Sequence, residues 1–354
     1  MTKVLGLALY GPLAASNRYR LGQYIPGLAS AGFNLHVCYL LGDDYLHARF
    51  SKSNLPVMSM LKRVISRFRE MLNQGAYDVL MLQYELMPFM PALIESTLIR
   101  KPYIYDLDDA FYLKHRGQGR PLRELLLGGK YDSLIGGAAT ITAGNRELVR
   151  YAKQFNPNTH LFPTVVDDTR YLPTTVRRGS SVFTVGWIGS PSTAPYLSEL
   201  VAPLSTIGKE GPVRFVVVGG KAPQIPNVSV VQLDWSEDAE LDLINSFDVG
   251  VMPLPNDDWS RGKCAFKLIQ YMACAVPVVA SPVGANLDVV TSQCGLMAST
   301  PNEWADAFRI LRDRPVIRDE MGLAGRTRVT QQYSLQQNLP MLTKIISQVF
   351  EKSK

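Results

Sequence analysis

The sequence predicts an α/β protein with two doubly wound domains facing a cleft. Short apolar runs alternate with segments of helical period along all 354 residues, which is typical of parallel sheets covered by crossover helices. A composition of 46% hydrophobic and 19% charged residues is that of an ordinary globular protein, long enough for two cores. The segment 162–181, rich in Pro, Thr and charge, divides the series like a linker. We therefore predict domains over residues 1–165 and 166–335, and a last helix over 336–354 that crosses back to the first domain.

In the first half, the runs that predict strands are KVLGLAL, NLHVCYL, DVLMLQY, PYIYD and ATIT. Between them, RYRLGQYIPGLASAG and PVMSMLKRVISRFREMLNQG predict helices, with Gly32 and Gly75 as C-terminal stops. The second of these helices has one apolar face, which consists of Leu61, Val64, Ile65, Phe68, Met71 and Leu72.

In the second half, the predicted strands are SVFTVGWIG, VRFVVVGG, VSVVQL, FDVGVMPL and VPVVASP. Helices are predicted around TAPYLSELVAPL, DAELDLINS and AFKLIQYMA, and in the tail. Ligands of doubly wound sheets bind outside the carboxyl ends of the strands, so the loops after strands are where binding residues are expected.

The positive charge is concentrated in the first half of the chain. The net charge is +6, and residues 1–165 hold 19 Lys and Arg against 12 Asp and Glu. This excess favours an anionic partner such as a membrane surface, a lipid phosphate or an acidic sugar. Nucleic acid is not expected, because the basic residues are not interleaved with aromatic ones and no recognition motif accompanies them.

Cysteine, histidine and the apolar runs exclude several further classes. The four cysteines form no CxxC pair and the four histidines are scattered, so we expect reduced thiols and no zinc site. The N-terminal run MTKVLGLALYG is too short for a secretory signal, and no apolar run is long enough to span a bilayer. The chain is therefore predicted to be cytoplasmic, with peripheral contact at the inner face of an anionic membrane left open.

Three aspartates follow the predicted strand in KPYIYDLDDAFY, namely Asp106, Asp108 and Asp109. An Asp-x-Asp spacing places two carboxylates on one side of an extended chain, which suits a divalent cation. It equally suits a nucleophile beside an acid, so this stretch alone leaves both hypotheses open.

Two stretches of the second half are suited to phosphate. In GSPSTAPYL, Gly189 permits close backbone approach, and Ser190, Ser192 and Thr193 are expected to cap the helix that follows. In NDDWSRGKCAFKLIQ, Lys263 and then Phe266 and Lys267 stand at the start of a helix. Lysines there oppose the helix dipole unless an anion such as a diphosphate is present. The alternative is that both lysines are solvated surface residues.

The first half carries cations and a carboxylate after its own strands. Arg18 and Arg20 follow the first strand, with Asn17 as a candidate helix cap. They are expected to face an anion, or else to pair with a nearby acidic group. Glu85 ends another strand, where it either reaches the ligand or orders its loop. The basic residues of KRVISRFREML and of KHRGQGRPLRE are candidates for membrane contact.

The order of these motifs resembles glycosyltransferase family 4, the retaining GT-B enzymes with two Rossmann-like domains. The stretches that carry the resemblance are GWIGSPSTAPYL and LDWSEDAELDLINSFDVGVMPLPNDDWSRGKCAFKLIQYMACAVPVVASPVGAN, with RTRVTQQYSL in the tail. In the first half, GPLAASNRYRLGQYIPGLASAGFNLHV and FPTVVDDTRYL agree with it. The resemblance implies transfer of a hexosyl or deoxyhexosyl group from a nucleoside diphosphate sugar, with retention and with no metal ion or cofactor. Residues 166–335 would bind the donor, and residues 1–165 a glycan or lipid-linked acceptor, as in polysaccharide biosynthesis.

The chain departs from the family at several positions. The two glutamates that members commonly carry fall here at Gly262 and Gln270, and Gln270 can still bind a ribose. Trp235 falls where the family holds the base. GSPSTAPYL lacks the usual Arg and Lys pair, so Lys263 and Lys267 are expected to neutralise the diphosphate, together with Arg18.

The resemblance changes what the acidic strand end predicts. Asp108, Asp109 and Lys263 become the candidate catalytic residues, while Arg20, Glu85 and Asp106 lie on the acceptor side. Asp106 is expected to order its loop through backbone N–H groups.

Three competing functions remain. A haloacid dehalogenase-like phosphatase would use Asp106 as nucleophile, Asp108 as acid and a magnesium ion, but Ala110 replaces the usual threonine. A GT-A enzyme would bind manganese through the same aspartates, although its nucleotide domain comes first in the chain. A non-catalytic nucleotide-sugar-binding protein is the third.

Overall fold

The computed structural model describes residues 1–51, 53–117, 119–174 and 182–352. By its internal contacts the chain divides into two units. The first unit contains Met1–Thr164, Gly262–Cys264 and Leu335–Lys354, and the second contains Val165–Arg261 and Ala265–Ser334. Residues 175–181 of the predicted linker lie outside the described residues. The tripeptide Gly262–Cys264 was not anticipated, because we predicted one continuous domain over 166–335.

The first unit is built on a six-stranded, all-parallel sheet. Its strand order is β2-β1-β3-β4-β5-β6, and Gln83, Asp106 and Thr142 are register partners at the carboxyl ends of β3, β4 and β5. The five predicted strands are confirmed. The three-residue edge strand β6 was missed, since so short a run has no visible periodicity. The strands are β1 (Thr2–Tyr10), β2 (Phe33–Leu41), β3 (Val79–Gln83), β4 (Tyr103–Leu107), β5 (Thr140–Ala143) and β6 (Thr159–Leu161).

The helices of the first unit up to β6 are α1 (Ala15–Arg20), α2 (Ile25–Ser30), α3 (Asp43–Ser51), α4 (Val57–Leu72), α5 (Ala92–Leu98), α6 (Pro121–Leu127), α7 (Lys130–Gly137) and α8 (Arg146–Ala152). The single helix predicted over RYRLGQYIPGLASAG is wrong: a 3₁₀ turn separates α1 from α2, and Pro26 starts α2. The predicted cap Asn17 is also wrong. It lies inside α1, where its Nδ2 donates to the carbonyl of Tyr10 at 2.7 Å.

Helix α4 turns much of its apolar face outward. Leu61, Ile65 and Phe68 are exposed, whereas Arg67 on the opposite side is fully buried. The Nη2 of Arg67 donates to the carbonyl oxygens of Ala8 and Cys38, the latter at 3.0 Å. A buried guanidinium needs such partners, and they determine how the helix is rotated. Arg67, a basic residue of a stretch predicted as a candidate for membrane contact, is therefore internal.

The second unit has its own six-stranded, all-parallel sheet, with the order β12-β11-β10-β7-β8-β9. The order reverses between β7 and β10, so ligands are expected beyond the carboxyl ends of these strands. The five predicted strands are confirmed, and the three-residue edge strand β12 was missed. The strands are β7 (Phe183–Ile188), β8 (Val213–Val218), β9 (Ser229–Leu233), β10 (Val249–Met252), β11 (Val278–Ala280) and β12 (Gly295–Met297).

The α-helices of the second unit are α9 (Val201–Gly208), α10 (Glu240–Asn245), α11 (Asp258–Arg261), α12 (Phe266–Ala273), α13 (Asn286–Val289), α14 (Pro301–Asp313) and α15 (Pro315–Gln332). A 3₁₀ helix, Ala194–Leu200, precedes α9. The last helix, α16 (Leu335–Glu351), packs against α2, β3 and β4 of the first unit, so the predicted crossing back is confirmed. Within the described ranges, no helix has the length and apolarity needed to cross a membrane.

Candidate functional site

Asp106 and Arg20 form a buried ion pair in the first unit. Arg20 Nε donates to Asp106 Oδ2 at 3.0 Å and Arg20 Nη2 to Oδ1, while Thr142 Oγ1 donates to Oδ1 at 2.7 Å. The side chains are 0% and 2% exposed, so neither presents a surface to an acceptor. The prediction that Asp106 binds backbone N–H groups is wrong, because a guanidinium and a hydroxyl occupy its oxygens. Arg20 also donates to the carbonyl of Phe162 at 2.6 Å, so the pair joins β4, β5 and the chain after β6.

Glu85 is likewise internal. Lys114 Nζ lies 2.6 Å from its Oε1 and Lys130 Nζ 2.7 Å from its Oε2. Burial raises the pKa of Glu85, but the two ammonium groups outweigh it, and the pKa lies below its usual value. The structure therefore supports the alternative role, a carboxylate that orders its loop, over contact with an acceptor.

Asp108 is the aspartate with an unsatisfied group. Its Oδ1 is buried and has no hydrogen-bond partner in the described part of the chain. Burial, and then the charge of Asp106, raises the pKa of Asp108 to about 7, against the opposing effect of Arg20. A carboxyl group that changes charge near neutral pH is suited to accept or donate a proton.

Tyr84, at the end of β3, was missed by the sequence analysis. Its hydroxyl is near enough to the carboxylate of Asp108 to act on the pKa of that group, which it lowers. Its backbone has a φ of 64°, which is uncommon for a bulky residue and marks local strain. Its carbonyl accepts from the hydroxyl of Tyr105 at 2.6 Å, and its ring centroid lies 3.9 Å from that of Phe111. A tyrosine in this conformation has no signature in the sequence, so only the structure reveals it.

Asp109 and Lys263, both predicted to be catalytic, form an ion pair. The Nζ of Lys263 lies 2.6 Å from Oδ2 of Asp109, and the two side chains are 17% and 20% exposed. The other oxygen of Asp109 accepts from the backbone N–H of Ala110 at 2.9 Å. The backbone carbonyl of Lys263 accepts from Nδ2 of Asn145 at 2.9 Å, which holds the lysine backbone in the first unit.

The neighbours of Lys263 leave no room for a side chain at Gly262, where the resemblance would place a glutamate. A Cβ added to Gly262 would lie 2.5 Å from Cβ and 2.9 Å from N of Ala110, too close for a side chain. Cys264 Sγ donates to the carbonyl of Asp108 at 3.0 Å. The carboxylates beside Gly262 therefore belong to Asp108 and Asp109.

In the second unit, the loops after β7, β8 and β9 approach one another closely. A Cβ on Gly189 would lie 2.5 Å from the ring of Trp187 and 2.6 Å from Cε of Lys267. Gly219 has a φ of +77°, and a Cβ there would lie 2.4 Å from the carbonyl oxygen of Gly189 and 3.1 Å from Cβ of Trp235. Backbone from these loops is thus within reach of a ligand at the carboxyl ends of the strands.

The hydroxyls of GSPSTAPYL do not cap a helix as predicted. Ser190 Oγ lies 2.7 Å from Ser192 Oγ, and Thr193 Oγ1 donates to the carbonyl of Ser190 at 3.2 Å. The helix that follows is a 3₁₀ helix whose N-cap, Thr193, makes no side-chain cap bond. The hydroxyls are satisfied within the turn, and their binding to phosphate stays a prediction.

The remaining predicted donor residues lie as follows. Lys267 is in the first turn of α12, with Nζ 5.6 Å from the centroid of Trp187, and Phe266 is the first residue of that helix. The residue before it, Ala265, has a φ of 53°. Arg18 lies in α1 of the first unit, with its guanidinium 4.9 Å from the centroid of Tyr19.

One carboxylate connects the two residues predicted to hold ribose and base. Trp235 Nε1 donates to Glu240 Oε2 at 2.7 Å, and Gln270 Nε2 donates to Glu240 Oε1 at 3.0 Å. Gln270 Nε2 also lies 2.9 Å from the hydroxyl of Tyr171, which itself donates to Glu240 Oε1. Glu240 was missed, because an acidic residue in the first turn of a helix is ordinarily explained by the helix dipole. We call Tyr171, Trp235, Glu240 and Gln270 the Glu240 network.

Two parallel six-stranded sheets with flanking helices, and a last helix packed on the first unit, define the GT-B glycosyltransferase fold. Residues 181–313 match the family described as glycosyl transferases group 1. The family match supports glycosyl transfer, and it does not favour the phosphatase alternative. Buried Asp106, clamped by Arg20, is also a poor nucleophile.

Several solved structures share this fold at low sequence identity. Sucrose-phosphate synthase of Thermosynechococcus elongatus is 14% identical with a TM-score of 0.70, and the match covers 100% of both chains. HepE of Anabaena, solved with UDP and glucose, is 13% identical with a TM-score of 0.71, covering 98% of this chain and 100% of that one. A glycosyltransferase of Rickettsia africae is 13% identical with a TM-score of 0.66, covering 99% of each. The search of curated proteins found none that matches this sequence.

Proposed function

We propose that this protein is a retaining glycosyltransferase of family 4, which moves a hexosyl or deoxyhexosyl group from a nucleoside diphosphate sugar to a lipid-linked or glycan acceptor. The observation that carries the proposal is the gathering of Gly189, Lys267 and the Glu240 network in the second unit, on loops and helices that follow its strands. This is where the sheet order predicts a ligand.

For the donor, we assign the base to Trp235 and the ribose to Gln270. The amide nitrogen of Gln270 is occupied by Glu240 and Tyr171, so its Oε1 is the acceptor for a ribose hydroxyl. Lys267 and Lys263 neutralise the diphosphate, and holding the charge of that leaving group is the largest contribution such an enzyme makes. HepE was solved with UDP, which makes UDP the first ligand to test.

For the acceptor, the loops after β3 and β4 favour an apolar carrier. Phe89 and Leu93 follow β3, and Leu122 and Leu125 follow β4, and all four are exposed. The guanidinium of Arg123 lies 5.3 Å from the centroid of Phe89, so the two loops are neighbours. Apolar side chains beside a cation suit a lipid phosphate, and we place the reaction at the cytoplasmic face of a membrane.

Asp108 is the group we assign to take the acceptor's proton. Because its pKa is about 7, it is protonated below that pH, and we expect kcat/KM to rise as the pH increases through about 7. The variant Asp108→Asn is expected to lose most transfer and this pH dependence, while UDP binding persists. An unchanged pH profile in the variant would assign the proton to another group, such as the departing phosphate.

The donor assignment is tested by thermal shift with UDP, uridine and UDP-sugars, with and without EDTA. We expect UDP to raise Tm more than uridine, since the lysines act on the diphosphate, and EDTA to leave the shift unchanged. Loss of the shift and of transfer in EDTA would indicate a metal-dependent enzyme. A donor that binds without being transferred or hydrolysed would favour the non-catalytic alternative.

A further inference from the structure

The outer face of α4 carries a continuous apolar stripe that no described residue of the first unit covers. Its members follow one another at alternating intervals of three and four residues from Met58 onward, so they lie on one side of the helix. They are between 38% and 77% exposed. The stripe consists of Val57, Met58, Leu61, Ile65, Phe68 and Leu72.

This exposure is built into the packing of the helix. Burying the stripe would require α4 to turn about its axis, which would withdraw Arg67 from the carbonyl oxygens of Ala8 and Cys38. A guanidinium that loses its partners inside the protein costs far more than an exposed apolar side chain. The stripe is therefore held outward by the polar group on the opposite side.

Basic residues border the stripe along one edge. Lys62 and Arg69 are exposed and lie beside it in the helical projection. Behind them, between α4 and β2, is a groove of about 360 Å³ whose lining includes Ser59, Lys62, Arg63 and Ser66. The groove also contains the carboxylate of Glu70, which lies 3.9 Å from His36 Nε2. The groove thus has two cationic side chains and two hydroxyls against one carboxylate.

We propose that this face of α4 binds the surface of an anionic phospholipid bilayer. The apolar stripe enters the boundary between headgroups and acyl chains, and Lys62 and Arg69 contact the phosphates. A second copy of the chain fits less well, because an antiparallel two-fold pair of these helices would bring the same basic edges together. The inference rests on the proposed function in one respect: membrane binding would give the enzyme access to a lipid-linked acceptor.

The test is sedimentation with vesicles of phosphatidylcholine, with or without phosphatidylglycerol. We expect binding only when phosphatidylglycerol is present, with a decrease at high salt. The variants Leu61→Glu/Ile65→Glu and Lys62→Glu/Arg69→Glu are each expected to weaken it by about tenfold or more. The matched control is Val316→Glu/Leu323→Glu, which alters two equally exposed apolar residues of α15 and should leave binding unchanged.

The UDP-induced thermal shift, measured on every variant, reports folding and donor binding separately from the membrane. Equal vesicle binding by the wild type and both α4 variants, or equal binding to both vesicles, would overturn the proposal. A dimer in solution that the Leu61→Glu/Ile65→Glu change dissociates would assign the stripe to a second copy instead. Vesicle binding with no UDP shift would leave this inference intact and contradict the proposed donor site.

Discussion

Asp109→Asn is expected to lower the rate of sugar transfer by about a hundredfold while UDP binding persists or becomes tighter. Asp109 and Lys263 are paired at 2.6 Å, so the carboxylate competes with a diphosphate for the same ammonium group. Removing the negative charge frees the lysine for phosphate, yet it deletes one of the carboxylates predicted to be catalytic. The measurements are kcat/KM for transfer and Kd for UDP by calorimetry.

The companion variants are Lys263→Met and Lys267→Met. Each is expected to weaken UDP binding more than uridine binding, because an ammonium group acts on the diphosphate. Lys209→Met, at an exposed lysine just after α9, serves as the matched control. If Asp109→Asn abolished UDP binding together with transfer, a metal bridging the aspartates and the diphosphate would become the better explanation.

Gln270→Glu is expected to destabilise the second unit and weaken UDP binding, although it introduces the residue that the resemblance to family 4 implies at this position. The new carboxylate would lie about 3 Å from that of Glu240, and two buried like charges at that distance cannot both ionise. Glu240→Gln alone removes the charge that accepts from Trp235, Tyr171 and Gln270, and is expected to be destabilising as well.

The exchange Glu240→Gln/Gln270→Glu should recover much of the stability and of the UDP affinity that the single changes lose. One carboxylate and one amide again share the site. We expect a coupling free energy of about 2 kcal/mol in a double-mutant cycle on urea unfolding. The UDP affinities of the variants are expected to rank in the same order as their stabilities. Gln331→Glu, at an exposed position of α15, controls for added charge. Additive effects of the two single changes would show that Glu240 does not position Gln270.

Much of the fold was predictable because its signals are local. All ten predicted strands are present, since runs such as VRFVVVGG have the length, branching and boundaries of buried strands. The crossing back of α16 was predicted with the helical pattern of the tail, and it is present. The errors lie where local pattern is weakest, in the three-residue strands β6 and β12 and in the helix interrupted before Pro26.

The sequence predicted most of the candidate-site residues, but it did not predict which residues contact one another. Trp235 and Gln270 were both predicted at the nucleoside, but the carboxylate that joins them, Glu240, lies 30 residues before Gln270. Asp109 and Lys263 are 154 residues apart, and no local periodicity relates them. Such pairs follow from the path of the chain, which individual motifs do not encode.

Residue types and their spacing were sufficient to predict strand positions, the phosphate-suited loops and the acidic end of β4. Only the three-dimensional packing decided which charges are paired inside the protein. Burial and a guanidinium partner make Asp106 structural, whereas the neighbouring Asp108 has an unsatisfied buried oxygen and a pKa near 7. For α4 the apolar periodicity was correct, but the buried Arg67 decided which side faces outward. The reason is common to both: the free energy of a buried charge depends on partners that are distant in sequence.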